Sequence, residues 1–162
     1  MSVFQITIFF LYIIAGLLFG LTRLQSDSAQ RKMLLAVAFI TGATGVLWHA
    51  WTLSLLILGG GGMSLSIGNT ASFIGLQIAL IALLGALESS LRGLSGGLLI
   101  LAGLVAVLTG GESTAVAGTP SLQLQTHILI SLFAYGLLTV GAIVAIFALI
   151  QDHLRFHFAS QN

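Results

Sequence analysis

Five long apolar stretches follow one another along this chain, at Val3 to Thr22, Met33 to Leu58, Ala71 to Leu87, Leu94 to Thr109 and His127 to Ile150, separated by polar or glycine-bearing connections. A bilayer core asks for roughly 20 consecutive apolar residues. In lipid, only helices and closed barrels satisfy every backbone donor and acceptor, and no alternating strand pattern of barrel length appears here. The pattern therefore predicts an all-α, polytopic transmembrane bundle of five spans in a single domain. Composition agrees: 57% of the 162 residues are hydrophobic and 6% are charged, a balance no soluble surface of this size carries. The first stretch lacks a basic leader and a small-x-small cleavage site, and reads as a retained span. The fourth is short and bears glycine, so a partly re-entrant course is open for it.

Charge then fixes orientation. The five basic residues are Arg23, Arg31, Lys32, Arg92 and Arg155. All of them fall on one side of a five-span path, which the positive-inside rule makes cytoplasmic. The N-terminus is then outside, and the tail after Gln151 is inside. The outer loops hold no Lys or Arg and one acid, Glu112, which does not suit them to capturing charged soluble partners. A net charge of +1 gives no basic patch for phosphate neutralisation, so nucleic acid is excluded as a partner. The absence of cysteine removes disulfides, thiolate metal sites, iron–sulfur clusters and thioether-linked haem.

Glycine supplies packing signals. Gly16/Gly20 and Gly93/Gly97 have the small-xxx-small spacing that lets helices approach closely. The run Gly59 to Gly62 should end the second span, because four glycines cannot hold a helix cheaply. Glu88 and Arg92, spaced i, i+4, are expected to form a surface ion pair.

The residue that most needs explaining is His49, in the middle of the second stretch between Trp48 and Trp51. An ionisable side chain within a span is costly and by default marks a functional site. At ~1.5 Å per residue it lies about 13 Å from the outer end of its span. Thr41, Gly42 and Gly45 run along the face leading to it, and glycine there would leave room beside the imidazole. Two readings stand open: a histidine hydrogen-bonded to a neighbouring helix, or a cofactor ligand. His127 opens the fifth span in THILISLFAYGLLT, with Ser131, Ala134 and Tyr135 following on one helical face. It reads either as an interfacial histidine with Tyr135 as packing or as part of a polar stripe entering from the outer surface. Taken together, His49 and His127 both fall in the outer half of the membrane, and paired imidazoles are an ordinary way of holding haem iron. Zinc is less well served, since no carboxylate or thiolate completes the ligand set. His153 and His157 share the i, i+4 spacing of a helical metal clip, but in DHLRFHF they read better as a basic-aromatic interfacial end. No catalytic triad, paired intramembrane carboxylates, P-loop or dinucleotide fingerprint is present. Charged pathway residues and paired broken helices, the marks of a transporter, are missing as well.

The strings WHAWTL, GMSLSIGNTASFI and THILISLFAYGLLT, in that order and with a further apolar span before the last, resemble the N-terminal half of the CcsA/CcmC cytochrome c assembly family, and within it the YpjD-type inner membrane proteins. The family's outer loop pattern G-x-x-L-S-x-x-N-x-x-S is matched by Gly62, Leu65, Ser66, Asn69 and Ser72. Its later span opening H-x-x-x-S-x-x-A-Y is matched by His127, Ser131, Ala134 and Tyr135. The resemblance implies a bacterial inner membrane protein that binds or passes haem at the outer face for cytochrome c maturation. It makes His49 and His127 the metal ligands, with Trp48, Trp51, Ser131 and Tyr135 around the cofactor, and it implies other assembly subunits as partners. Family members usually continue into further spans, and their haem-presenting branches carry a W-G-x-x-W-x-W-D segment. These 162 residues hold five spans and only two tryptophans. A non-catalytic accessory subunit of a larger membrane complex, with structural histidines, is the alternative expectation.

Overall fold

A computed structural model describes residues 3–58, 66–108 and 121–159, and all its regular structure is helical. The helices are α1 (Val3–Leu21), α2 (Ser28–Leu58), α3 (Ile67–Gly85), α4 (Arg92–Leu108) and α5 (Leu122–Ala159), with a 3-10 turn at Ser89–Leu91 before α4. All five are long and apolar enough to cross a membrane. The chain thus has the all-helical, five-span architecture its apolar pattern predicts. The fourth stretch is a continuous helix packed into the bundle and not a re-entrant segment.

Helix ends are set by polar caps that lie outside the apolar runs. Asp27 Oδ1 accepts hydrogen bonds from the N–H groups of Ala29 (2.8 Å) and Gln30 (3.4 Å), so α2 begins five residues before Met33. The Ser66 hydroxyl accepts from the N–H of Asn69 at 3.0 Å and starts α3 at Ile67. Ser121 does the same for the Leu124 N–H at 3.4 Å, ahead of α5. At its other end α2 is described as far as Leu58, and the glycine run that follows lies outside the described residues. With 38 residues, α5 is about 57 Å long at 1.5 Å per residue, well beyond a hydrocarbon core of ~30 Å. Its last turns therefore project out of the apolar layer.

Helices α1 to α4 form a four-membered ring, each packed on the next and α4 closing on α1, while α5 lies outside against α3. Contacts fix the directions. Phe4 meets Trp48 while Phe19 meets Phe39, so α1 and α2 are antiparallel. Gly16 meets Gly96 and Phe9 meets Gly103, so α1 and α4 are too. Gly75 against Val105 and Gly85 against Ser95 make α3 and α4 antiparallel. Ile128 packs in one cluster with Phe73, and Leu132 is bonded by Gln77, so α5 runs parallel to α3. The chain positions of Arg23, just past α1, and of Arg31, Lys32, Arg92 and Arg155 consequently gather at one end of the bundle, the basic end. His49 and His127 lie toward the other.

The core is built from small residues, Ala15, Ala38, Ala79, Ala82, Ala102 and Ala106, around the larger Tyr12, Phe19, Ile78 and Leu99. Small residues suit helices in lipid, where association depends on close packing and not on water exclusion. The tightest crossing joins Gly16 to Gly96: a Cβ on either would stand 2.6 or 2.7 Å from the other's carbonyl oxygen. Gly20 and Gly97, the second members of the two sequence pairs, face open space, and Gly93 receives the Arg23 guanidinium.

At the basic end, Arg23 Nη2 donates to the Ser90 carbonyl at 2.6 Å and ties the end of α1 to the start of α4. The expected Glu88–Arg92 ion pair does not form. Arg92 Nε instead donates to the Ala86 carbonyl (3.2 Å), a group left without a partner where α3 ends, and Glu88 caps the 3-10 turn. Arg23→Ala is expected to lower stability by about 0.5–1 kcal/mol, less than a buried charged hydrogen bond is worth because the side chain is exposed. Thermal unfolding in detergent at low and high salt measures it.

Candidate functional site

The site is assembled around His49, which is 2% exposed and enclosed by α1, α2 and α3. Its Nδ1 lies 3.2 Å from the Tyr12 hydroxyl of α1, and its Nε2 lies 2.8 Å from the Ser72 hydroxyl of α3. A neutral imidazole donates from one nitrogen and accepts at the other, and each hydroxyl can do either. Both ring nitrogens are therefore satisfied in either tautomer. The Tyr12 and His49 rings are tilted at 56° with centroids 5.8 Å apart.

Sequence periodicity explains why room exists for this arrangement. Gly45, one turn before His49, lies under the Tyr12 ring, where a Cβ would come within 2.9 Å of it. The glycine-lined space beside the imidazole is thus present, and Tyr12 fills it. Gly42 lets Leu83 of α3 approach in the same way. Thr52 turns its hydroxyl back to the carbonyls of Trp48 and His49 (3.1 and 3.0 Å) and not toward the imidazole.

The other predicted residues are dispersed. Trp48 and Trp51 are 42% and 64% exposed, on faces turned away from the core, with Trp48 leaning on Phe4 at 6.2 Å. Successive helical residues are rotated by 100°, so sequence neighbours of a buried histidine need not share its face. His127 is exposed near the start of α5, Ser131 is half-buried and Tyr135 is 63% exposed. The face of α5 turned to α3 carries Ile128, Leu132 and Gly136 instead. His49 and His127 are not brought into contact. Among the described residues no group of three or more His, Asp or Glu side chains comes together to hold a metal. His153 is exposed, and Gly62 and Leu65 of the loop pattern lie outside the described residues.

Two participants are not evident from the sequence. Tyr12 is fully buried in α1, and its only signal is that a phenol amid a span needs a hydrogen-bond partner. Gln77 is 5% exposed on α3; its Nε2 donates to the Leu132 carbonyl of α5 at 3.5 Å, and its Oε1 has no partner.

The architecture and this buried polar centre define a multi-pass helical membrane protein. Compared with known proteins, the chain matches no family model, no curated protein and no solved structure.

Proposed function

We propose that this chain is a haem-handling inner membrane protein of the cytochrome c assembly type, with its working end opposite the basic residues. One observation carries the reading. The three segments on which the resemblance rests, distant in sequence, converge there: Leu53 and Ile57 of α2, Phe73 and Leu76 of α3 and Ile128 of α5 form one apolar cluster. Beside this cluster, His49 and Ser72 from two of those segments are hydrogen-bonded. Under this reading the basic end faces the cytoplasm and the cluster faces the outer surface.

The residues fit a haem iron only in part. His127 offers an exposed imidazole at the outer end of α5. His49 has no nitrogen to give while Tyr12 and Ser72 hold both. That same observation favours a second reading, an accessory subunit in which His49 pins α1, α2 and α3 together and the chain packs onto other membrane subunits.

Absorption spectroscopy separates the two. Protein purified from haem-replete membranes, or supplied with haemin, is expected to show a Soret band that His127→Ala abolishes. A colourless preparation that takes up no haemin and co-purifies with a stoichiometric membrane partner overturns the haem reading in favour of the accessory one.

A further inference from the structure

Helix α5 is attached differently from the other four. Only 11% of its apolar window is buried, against 22 to 39% for the rest, and its main neighbour is α3 alone. Its seat on α3 contains a defect and a notch. Gln77 is buried, its single hydrogen bond to α5 is long, and its Oε1 is unpartnered. That oxygen rests against Gly136, occupying the space where a Cβ at that position would stand. A buried carbonyl oxygen without a donor opposes the packing that holds it. Gly136, having no Cβ, leaves room for the amide between the two helices.

Toward the outer end, Ile128 of α5 packs over Leu53 and Ile57, which are 3% and 5% exposed. Leu53 lies one turn from His49 along α2, and Phe73 adjoins Ser72 on α3. Helix α5 therefore lies across the outer end of the α2–α3 seam in which the His49–Ser72 bond is made.

We propose that α5 is a strap, seated on α3 by the Gln77–Gly136 notch, which lifts from the four-helix ring and uncovers the α2–α3 seam beside His49. The lifting concerns helix packing alone; only its purpose, admitting haem to that seam, rests on the function proposed above. Lifting leaves the ring intact, because α1 to α4 close on one another without α5.

The absence of native cysteine allows the test to be made on the full chain in lipid nanodiscs. A Leu53→Cys reporter is labelled with a small uncharged maleimide in three backgrounds: otherwise unchanged, Gly136→Leu, and Gly141→Leu, whose Cβ meets nothing within 4 Å. Labelling is expected to be at least about tenfold faster with Gly136→Leu and unchanged with Gly141→Leu, since local opening that becomes 1.4 kcal/mol easier is ten times more populated. In parallel, Phe4→Cys with Trp48→Cys reports the α1–α2 contact, and Phe73→Cys with Ile128→Cys reports the α3–α5 contact, using a short bis-maleimide that adds to both thiols. Gly136→Leu is expected to abolish only the second cross-link. Equal labelling in all three backgrounds, or disappearance of both cross-links together, overturns the strap. Haem uptake plays no part in these readouts, so a failed haem assay leaves this result standing, and the reverse also holds.

Discussion

Gly96→Val is expected to destabilise the bundle by about 3 kcal/mol or more, whereas the same change one residue later, at Gly97, shifts stability by less than about 0.5 kcal/mol. A Cβ on Gly96 meets the Gly16 carbonyl oxygen at 2.7 Å, with the Gly20 nitrogen at 3.6 Å behind it. Both obstacles are backbone, so no rotamer change relieves the collision. The helices have to separate, and separation pulls Tyr12, Phe19 and Leu99 apart together, since all three belong to one core cluster. At Gly97 nothing lies within 4 Å, and valine there meets only lipid or solvent. Helix propensity cannot mimic this contrast, because glycine to valine in a helix changes it by a few tenths of a kcal/mol at both positions alike. Paired thermal or denaturant unfolding curves in detergent measure the difference. Equal midpoints for the two variants would remove the Gly16–Gly96 crossing as the tight point of the fold.

That contrast also marks the boundary of what the sequence could say. Span number follows from hydropathy, because the bilayer fixes how long an apolar run must be, and all five runs are helices. Helix ends follow from single polar residues, Asp27, Ser66 and Ser121, which apolar counting passes over; this is why α2, α3 and α5 begin several residues early. The small-xxx-small pairs identify α1 and α4 as close-packing helices, but register is a tertiary property, and Gly16 pairs with Gly96 and not with either member of the second pair. His49 is conspicuous because a polar group in a span always requires an explanation. Its partners are not, since Tyr12 and Ser72 stand 37 and 23 residues away on other helices; Tyr12 is one phenol in an apolar run, and Ser72 enters the sequence reading only as the last match of the family's loop pattern. Helical spacing does put His127 and Tyr135 on one face. Which face of α5 meets α3 is decided by Ile128, Leu132 and Gly136, a choice the spacing alone does not make.

His49→Leu is expected to cost about 2–3 kcal/mol, and most of that cost falls on Tyr12. Removing the imidazole strands two hydroxyls, but they are not equivalent. Ser72 is only half-buried and can turn back to a carbonyl of its own helix, as short hydroxyls in membrane helices do. The Tyr12 hydroxyl is held at the end of a rigid ring in a fully buried site and cannot reach its own backbone. An unsatisfied buried donor costs about 1–3 kcal/mol, and polar pairs in membrane bundles lie toward the low side of that range. Tyr12→Phe alone, which leaves the imidazole bonded to Ser72, is expected to cost about 1 kcal/mol, and the double variant less than the sum of the two singles. Ser72→Ala then divides the two functional readings. It frees Nε2 of His49 while Nδ1 stays bonded to Tyr12, so an imidazole that serves as an iron ligand takes up added haemin more readily and shifts the Soret band, whereas a structural pin only weakens the fold. A Ser72→Ala protein that is less stable and spectrally unchanged, beside a Tyr12→Phe protein of the same behaviour, would place His49 among the residues that hold the bundle together and leave His127 as the ligand to be tested.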